Sequence, residues 1–348
     1  MKIGRSPVGP DHPPLVVAEL SANHNGLLER ALAVVDAVAD AGAHLLKLQT
    51  YTADTMTLDV DLPAFRIDTP GSLWQGRTLY DLYQEGSTPW DWHEPIVERC
   101  RERGLDWFSS PFDVTAVDFL EQLDPAAYKI ASFEIVDLPL IRRVASTGKP
   151  VVVSTGMATL AEIDAAVRVA REAGCADLVL LQCTSTYPAT PENSHLATIP
   201  HMAQAFGCPV GLSDHTLGIG VPLAAVGLGA VLIEKHVTLD RSGGGVDDAF
   251  SLEPDELQDL VQSSERAWQA VGEVRYGPLT AERPSLQFRR SLYITRDLRA
   301  GDELTPDNLR AIRPGYGLPP QYLDDLLGQR VGRDVARGTP ASWDLLAS

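Results

Sequence analysis

The sequence predicts a (β/α)8 TIM barrel followed by a small β-rich domain. Short apolar runs alternate with stretches of helical periodicity through the first three quarters of the chain. Most of these runs are continuously apolar, which is typical of parallel strands that are covered on both faces. A glycine stands between most helices and the following strand, where helix C-termini favour that residue. A doubly wound sheet is the structural alternative, but no G-x-G-x-x-G motif follows the first strand.

Eight apolar runs are predicted to be the barrel strands. They lie at residues 15–19, 45–49, 105–109, 127–131, 151–154, 178–182, 210–213 and 231–235. Helical spacing predicts helices over residues 27–41, 160–173 and 218–229. The second strand is followed by a long insertion, residues 51–89, which is predicted to bind a ligand or close over it, a packed surface excursion being the alternative. Its aromatic residues are Phe65, Trp74, Tyr80 and Tyr83.

Three segments of different composition divide the chain. Residues 1–271 are predicted to form the catalytic barrel, because the strand–helix repeat stops after Trp268. Residues 272–288 are rich in glycine, proline and arginine, and they are predicted to be a linker. Residues 289–348 combine short apolar runs, such as 291–294, with turns and proline-rich stretches, which predicts the small β-rich domain.

The composition restricts the classes of partner. The 348 residues carry a formal net charge of −18 without a run of Lys or Arg, which argues against nucleic acid, because phosphate contacts require clustered positive charge. No apolar run reaches the ~20 residues of a membrane helix, so no membrane partner is expected. Four scattered cysteines indicate a reducing compartment, the cytoplasm, and Cys183 and Cys208 are predicted to be core thiols.

The carboxyl ends of the strands are where a barrel of this kind carries its active site. His215 and His236 follow two neighbouring strands, which lie ~4.8 Å apart, so one metal ion could bind both imidazoles. Two unrelated loop histidines are the alternative. Lys47 and Lys129 lie within apolar strands, where a buried lysine needs an anionic partner. With the serines after other strands, they predict a site for a small dianionic ligand beside a metal.

Other strand ends add candidate residues. A glycine-rich loop, residues 243–248, permits a close backbone approach to a ligand, and one of its aspartates could orient water or accept a proton. A flexible loop without such a role is the alternative. Glu19 is a predicted catalytic carboxylate after the first strand, and Ser110 is a predicted substrate ligand after the third.

Eight strand-end motifs follow one another along the chain. They are A-E-L-S-A-N-H-N (18–25), K-L-Q (47–49), S-S-P-F (109–112), K-I-A-S-F-E (129–134), S-T-G-M (154–157), C-T-S-T-Y-P (183–188), G-L-S-D-H-T (211–216) and E-K-H (234–236). Over nearly the full chain they resemble the sialic acid synthase family, which condenses phosphoenolpyruvate with an amino-sugar aldehyde. The first two motifs, and Ser185 where neuraminate synthases commonly carry Asn, resemble the pseudaminic acid synthase branch.

The resemblance implies an architecture, a metal and a set of substrate ligands. Family members carry an antifreeze-like (SAF) domain after the barrel and form domain-swapped homodimers, in which Arg313 would reach the partner's sugar site. His215 and His236 would hold a divalent cation, Mn²⁺ or Mg²⁺. Glu134 and Asp247 would position water or transfer protons. The remaining residues would hold phosphoenolpyruvate (Lys47, Lys129, Ser132, Ser154 and Ser213) or the sugar (Gln49 and Tyr187).

The implied reaction joins C3 of phosphoenolpyruvate to the aldehyde of 2,4-diacetamido-2,4,6-trideoxy-L-altrose. Water then adds at C2, phosphate leaves with C–O cleavage, and pseudaminic acid is the product. An N-acetylneuraminate or legionaminate synthase with the same chemistry is one alternative, and a Schiff-base aldolase that uses Lys129 or Lys47 is another. A carbohydrate- or ice-binding protein built around the C-terminal domain would leave the lysines and the paired histidines without a purpose.

Overall fold

The structure, a computed structural model, describes residues 1–347. The chain begins with a short hairpin of β1 (Lys2–Ile3) and β2 (Ser6–Pro7). Eight parallel strands of the described chain then form a closed barrel. They are β3 (Leu15–Glu19), β4 (Leu45–Thr50), β5 (Asp106–Pro111), β6 (Tyr128–Ile130), β7 (Val151–Ser154), β8 (Leu178–Cys183), β9 (Val210–Asp214) and β10 (Leu232–His236). Pairing follows chain order and closes between β10 and β3, which confirms the predicted (β/α)8 barrel.

Helices connect the strands and pack around the barrel. They are α1 (Leu28–Asp40), α2 (Ala53–Met56), α3 (Leu79–Gly86), α4 (His93–Glu102), α5 (Val114–Glu121), α6 (Leu138–Ala145), α7 (Leu160–Glu172), α8 (Thr198–Phe206), α9 (Gly220–Gly227) and α10 (Pro254–Val271). Local signals set their ends: Thr159 and Glu162 form a capping box at the start of α7, and Gly207, at φ 59°, ends α8. The insertion contains α2, a 3-10 turn (Pro63–Phe65) and α3.

Side chains of the barrel strands alternate between two hydrophobic cores. Val16 and Leu46 belong to the larger core, between the strands and the helices. Val17, Leu45 and Phe108 belong to a second core, which fills the barrel interior. Interior positions closer to the carboxyl ends of the strands are polar. This change from apolar to polar along the interior puts the chemically active side chains at that end.

A second compact unit begins at Glu273. It contains α11 (Leu323–Leu326) and a two-stranded antiparallel sheet of β11 (Ser291–Ile294) and β12 (Leu309–Ile312), which pack around a small apolar core. The segment predicted as a linker contains a 3-10 helix, Thr280–Phe288. Within residues 1–347, no helix combines the length and the apolar character needed to cross a membrane.

Candidate active site

Polar side chains at the carboxyl ends of the strands form a ring inside the barrel. Glu19 is level with Lys47 on one neighbouring strand and with His236 on the other. Ser213 is level with Glu234 on the next strand. Contacts and register bring further predicted site residues into this polar ring, namely Gln49, Ser110, Lys129, Ser154 and His215.

Lys47 lies between two carboxylates of the polar ring. Its Nζ is 2.6 Å from Glu19 Oε2 and 2.8 Å from Glu234 Oε1. Burial lowers the pKa of Lys47 to about 8, against the opposing effect of the Glu234 charge. Ser213 donates a hydrogen bond to Glu234 Oε1 at 3.0 Å, whereas Glu234 Oε2 is buried without a hydrogen-bond partner among residues 1–347. The polar ring therefore retains bonding capacity that a ligand or water can use.

Lys129 anchors a part of the polar ring that is rich in hydrogen-bond donors. Its Nζ donates to Ser154 Oγ at 2.7 Å and to the Ile130 carbonyl oxygen at 2.9 Å. The Gly156 N–H donates to Ser132 Oγ at 3.2 Å. Gly156 has no room for a side chain, because a Cβ there would lie 2.7 Å from Ser132 Oγ. Ammonium, hydroxyl and backbone donors in this arrangement suit a phosphate or a carboxylate.

His215 and His236 lie side by side, with 5.3 Å between their ring centroids. His215 Nδ1 is 2.9 Å from the Thr184 carbonyl oxygen, which pairs with a protonated nitrogen, so in the neutral ring the lone pair is on Nε2. His236 Nδ1 is buried, has no hydrogen-bond partner in the described chain and lies 3.7 Å from Asp247 Oδ2. Burial lowers the pKa of His236 well below its usual value, so the ring is neutral and one of its two nitrogens has an available lone pair.

This pair of imidazoles fits a divalent cation whose other coordination positions stay open. Catalytic metal sites commonly leave positions to water or substrate. Within residues 1–347, no group of three or more His, Cys, Asp or Glu side chains is arranged to hold an ion. An ion held by His215 and His236 would therefore need water or substrate oxygens as its other ligands.

The three predicted catalytic carboxyl groups differ in their hydrogen bonds. Glu19 is fully buried, and its Oε1 accepts the Ser21 N–H at 2.8 Å. Asp247 accepts a hydrogen bond from the Ser21 hydroxyl, whose oxygen accepts one from Gln49 Nε2 at 3.1 Å. Glu134 Oε2 is buried without a partner in residues 1–347, and burial raises the Glu134 pKa to about 7. A carboxyl group with that pKa suits proton transfer at physiological pH.

Aromatic side chains line the two histidines. The Tyr187 ring centroid is 4.3 Å from that of His215, and the Phe250 centroid is 5.0 Å from that of His236. Trp74, from the insertion, lies 5.7 Å from Tyr187. The sequence prediction missed Phe250, because an aromatic residue after a glycine-rich loop gives no signal of the direction in which it turns.

Cys183 is a buried free thiol, as the sequence predicts. Cys183 is level with Ser213 on the inward face and belongs to neither hydrophobic core of the barrel. Cys183 is the last inward-facing residue of β8, and the inward-facing residues of the barrel strands are mostly polar at that end. Cys208, in contrast, is half-buried against the larger core. Arg313 belongs to the second unit, where its side chain is exposed just after β12.

Known proteins share both parts of this architecture. Residues 34–276 match the NeuB family, and residues 289–347 match the SAF domain. The chain is 42% identical to the pseudaminic acid synthase of Helicobacter pylori over 334 residues, which cover 95% of this chain and 97% of that protein. It is 35% identical to the N,N′-diacetyllegionaminic acid synthase of Legionella pneumophila, over 98% of this chain and 97% of that protein.

A solved structure extends the similarity to three dimensions. The N-acetylneuraminic acid (sialic acid) synthetase of Leptospira borgpetersenii superposes with a TM-score of 0.74 at 30% identity, over 83% of this chain and 95% of that one. The chain therefore belongs to the NeuB family, carries a C-terminal SAF domain and is an enzyme, a synthase like these named relatives.

Proposed function

We propose that this protein is a pseudaminic acid synthase, which condenses phosphoenolpyruvate, 2,4-diacetamido-2,4,6-trideoxy-L-altrose and water to pseudaminic acid and phosphate. The observation that carries the proposal is the 42% identity to the H. pylori pseudaminic acid synthase, against 35% to the L. pneumophila diacetyllegionaminic acid synthase. Both relatives match nearly the whole chain, so legionaminate or N-acetylneuraminate synthesis by the same chemistry is the second candidate.

Phosphoenolpyruvate would be held by cations and hydroxyl groups of the polar ring. Lys129 and Ser154 share a hydrogen bond, and Ser132 accepts one from Gly156, so these groups need little rearrangement to bind an anion. Lys47 supplies a second ammonium group. The proposed set is Lys47, Lys129, Ser132, Ser154 and Ser213, with Ser110, whose buried hydroxyl has no partner in the described chain, as a further donor.

His215 and His236 would hold Mn²⁺ or Mg²⁺ on the side of the acceptor sugar. When bound, such a cation supplies Lewis-acid polarisation of the open-chain aldehyde. Tyr187 flanks His215 at 4.3 Å, and Gln49 reaches the Ser21 hydroxyl at 3.1 Å. These contacts support the assignment of Tyr187 and Gln49 to orientation of the sugar.

The reaction begins when C3 of phosphoenolpyruvate attacks the aldehyde carbon and positive charge develops at C2. The aldehyde oxygen takes a proton and becomes a hydroxyl, and Asp247, whose pKa burial raises, is the proposed donor. Water adds at C2, and Glu134, with a pKa of about 7, accepts the proton that this water loses. The tetrahedral adduct collapses to the ketone when the C2–O bond to phosphate breaks. Phosphate leaves with the bridging oxygen and takes the proton of the C2 hydroxyl, while Lys47 and Lys129 stabilise the departing anion.

Isotope labelling and trapping test this reaction class. Phosphoenolpyruvate with ¹⁸O in the C–O–P bridge is expected to give phosphate that carries the label, because the C2–O bond breaks. Label retained in the sugar acid would contradict C–O cleavage. After borohydride treatment with substrate and removal of the reagent, the enzyme is expected to keep its activity on fresh substrate, whereas covalent trapping of substrate on Lys129 or Lys47 would favour the aldolase alternative.

The acceptor is tested by kcat/KM on one enzyme preparation. We expect at least a roughly tenfold preference for 2,4-diacetamido-2,4,6-trideoxy-L-altrose over N-acetylmannosamine, because a buried hydroxyl without a partner costs about 1–3 kcal/mol. Other diacetamido stereoisomers belong in the same comparison. Equal values, or a preference for another sugar, would assign the enzyme to the neuraminate or legionaminate branch and leave the reaction class unchanged.

We further propose a domain-swapped homodimer in which the small domain of one chain covers the barrel mouth of the other. Apolar side chains around the turn after β6 and the start of α7 are more than half exposed, namely Phe133, Val136, Met157 and Leu160. An exposed apolar patch of this kind is typical of an interaction surface. Arg313, exposed on the small domain, would then reach the sugar of the partner's site.

Mixed dimers test this shared site. Arg313→Ala and His236→Ala chains, each inactive as homodimers, are expected to regain part of the activity when mixed, because one of the two sites in a mixed dimer lacks both substitutions. The measurement is turnover by dimers that carry two different affinity tags. An inactive mixed dimer of verified composition would contradict the contribution of Arg313 across chains.

A further inference from the structure

Trp74 connects the insertion to two loops of the active site. Within residues 68–76, at the tip of the insertion, Ser72 and Trp74 are half-buried and the other side chains are exposed. The Trp74 ring lies 5.7 Å from the Tyr187 ring at a tilt of 48°. Its Nε1–H donates a hydrogen bond of 3.1 Å to the carbonyl oxygen of Val246. One side chain thus contacts both the loop after β8 and the glycine-rich loop after β10.

The other aromatic residues of the insertion have different contacts. Tyr83 packs against Tyr51, with 6.0 Å between ring centroids. The Tyr80 hydroxyl donates to Asp54 Oδ1 at 3.2 Å. These contacts tie both tyrosines to the base of the insertion, whereas the contacts of Trp74 extend to the residues that line the histidines.

Hydrogen bonds within the insertion hold its tip, and with it Trp74. The Ile67 N–H donates to the Arg77 carbonyl oxygen at 3.0 Å, and the Gly76 N–H donates to the Ile67 carbonyl oxygen at 2.8 Å. Arg66 and Thr78 form an antiparallel bridge next to these bonds. The tip is therefore a closed turn with its own backbone pairing, which limits the positions that the indole can take.

The glycine-rich loop that accepts the indole hydrogen bond carries Asp247. The next residue, Asp248, holds the loop from within: its Oδ2 accepts hydrogen bonds from the Gly245 N–H at 2.7 Å and from Asn25 Nδ2 at 3.1 Å. Gly245 lies so close to this asparagine that a Cβ would collide with Asn25 Oδ1. Asp247 thus lies between two restraints, the contacts of Asp248 and Gly245 on one side and the indole bond to Val246 on the other.

We propose that Trp74 is a positioning and specificity-determining residue for the acceptor sugar. The inference rests on the proposed function, because it assigns the Tyr187 and Asp247 side of the polar ring to the sugar. The indole ring extends the apolar wall of Tyr187 towards the acceptor's methyl groups, and the indole N–H fixes the loop that aims the Asp247 carboxyl group. Phosphoenolpyruvate, held by Lys129 and Ser154, does not depend on this wall.

Two substitutions separate the functions of the ring and the N–H. Trp74→Phe keeps an aromatic ring beside Tyr187 and removes the hydrogen bond to Val246. Trp74→Ala removes both contacts. Leu73→Ala is the matched control, because Leu73 precedes Trp74 in the same turn and is 48% exposed. Steady-state kinetics with each substrate varied in turn gives kcat and both KM values for the four proteins.

Trp74→Ala is expected to raise the KM of the sugar about tenfold or more and to lower kcat, with the KM of phosphoenolpyruvate within about twofold. Trp74→Phe is expected to lower kcat about fivefold and to leave the sugar KM within about threefold. Leu73→Ala should match the wild type. Unchanged constants in Trp74→Ala, or an equal rise of both KM values, would overturn the proposal.

Hydrogen exchange gives a second readout that is independent of turnover. Amides of residues 243–248 are expected to exchange faster in Trp74→Phe than in the wild type or Leu73→Ala, because the loop loses one restraint. Unchanged exchange together with unchanged kcat in Trp74→Phe would overturn the role of the N–H, even if Trp74→Ala does not fold. The kinetics use whichever acceptor the wild-type enzyme turns over best, so a wrong acceptor assignment is recognised on the wild type alone.

Discussion

Lys47 and Lys235 are both buried at the carboxyl end of the barrel, but they face opposite sides of its wall. Lys47 points into the barrel, between two glutamates. Lys235 points outward, where its Nζ donates to Asp214 Oδ2 at 2.9 Å and to the Thr216 carbonyl oxygen. The outward group is a closed network, because Asp214 also accepts the Thr216 N–H at 3.2 Å and the Thr216 hydroxyl at 2.8 Å.

The inward groups are less completely bonded. Within residues 1–347, Glu234 Oε2, His236 Nδ1 and Glu134 Oε2 are buried without hydrogen-bond partners. Unpaired buried groups reduce stability, and they persist where a ligand uses them. The comparison teaches that burial of charge alone does not identify the active site, and that unmet bonding capacity is what distinguishes the surroundings of Lys47 from those of Lys235. Substitutions inside the barrel should therefore change activity more than stability, and substitutions on the outer face should do the reverse.

His236→Ala should give the largest effect on the inward side. We expect kcat/KM to fall at least about a thousandfold, because one of the two proposed metal ligands is lost. The melting temperature without metal should change little, since Nδ1 makes no hydrogen bond among the described residues. Turnover assays and calorimetric titration with Mn²⁺ measure the two quantities. Full turnover of the wild type in excess chelator would contradict the metal assignment.

Lys235→Met should give the largest effect on the outward side. Removal of one partner leaves the Asp214 carboxylate buried and unpaired, which costs about 3–5 kcal/mol of unfolding free energy. Denaturant unfolding followed by tryptophan fluorescence measures this loss. The double variant Asp214→Asn/Lys235→Met removes both charges and should recover part of it. A loss of unfolding free energy below about 1 kcal/mol in Lys235→Met would contradict the predicted difference between the inward and outward sides of the barrel wall.

Glu134→Gln should raise stability in a pH-dependent manner. Burial raises the Glu134 pKa to about 7, above its value in the unfolded chain, so ionisation destabilises the folded state progressively as pH rises to about 7. Glutamine removes this effect, so the variant should gain about 3 kcal/mol of unfolding free energy over the wild type at pH 8 and almost none at pH 4. Melting curves at both pH values test this, and a gain that is independent of pH would contradict it.

Lys47→Arg should give the smallest of these effects, a shift in the pH dependence of catalysis. The Lys47 pKa of about 8 means that Lys47 loses its charge above that pH, so kcat/KM for phosphoenolpyruvate should fall about tenfold per pH unit there. Lys47→Arg should move this fall to higher pH, because a guanidinium stays protonated. A pH profile that is the same in both proteins would assign the fall to another group.

Continuous apolar runs made the barrel predictable from the sequence. The predicted strands at residues 15–19 and 151–154 match β3 and β7, and the predicted helix over 218–229 contains α9. The rule that barrels carry their sites at the carboxyl strand ends then located the polar ring. The rule does not say which of two adjacent residues points inward. Cys183 and Lys235 show this, because strand register decides their direction.

Loop contacts could not be predicted in the same way. The indole of Trp74 and the carbonyl of Val246 are 172 residues apart, and neither segment has a periodic pattern. Their meeting depends on the backbone pairing of the insertion tip and on the restraint of Gly245 by Asn25. Such contacts arise from the complete tertiary structure, so the sequence predicted that the insertion matters and could not specify how.

The pairing of β10 with β3, which closes the barrel, would link the onset of catalysis to the completion of folding. Glu19 and His236 are level across that pairing, although they come from the first and the last barrel strand. Before β10 docks, every residue proposed to hold phosphoenolpyruvate can already be in position. Of the two imidazoles, only that of His215 can be in position at that stage. If His215 and His236 together hold the metal as proposed, turnover would not begin before the ring is sealed. During refolding, or as a nascent chain emerges from the ribosome, the onset of activity would time this long-range closure, the kind of step that topology makes slow.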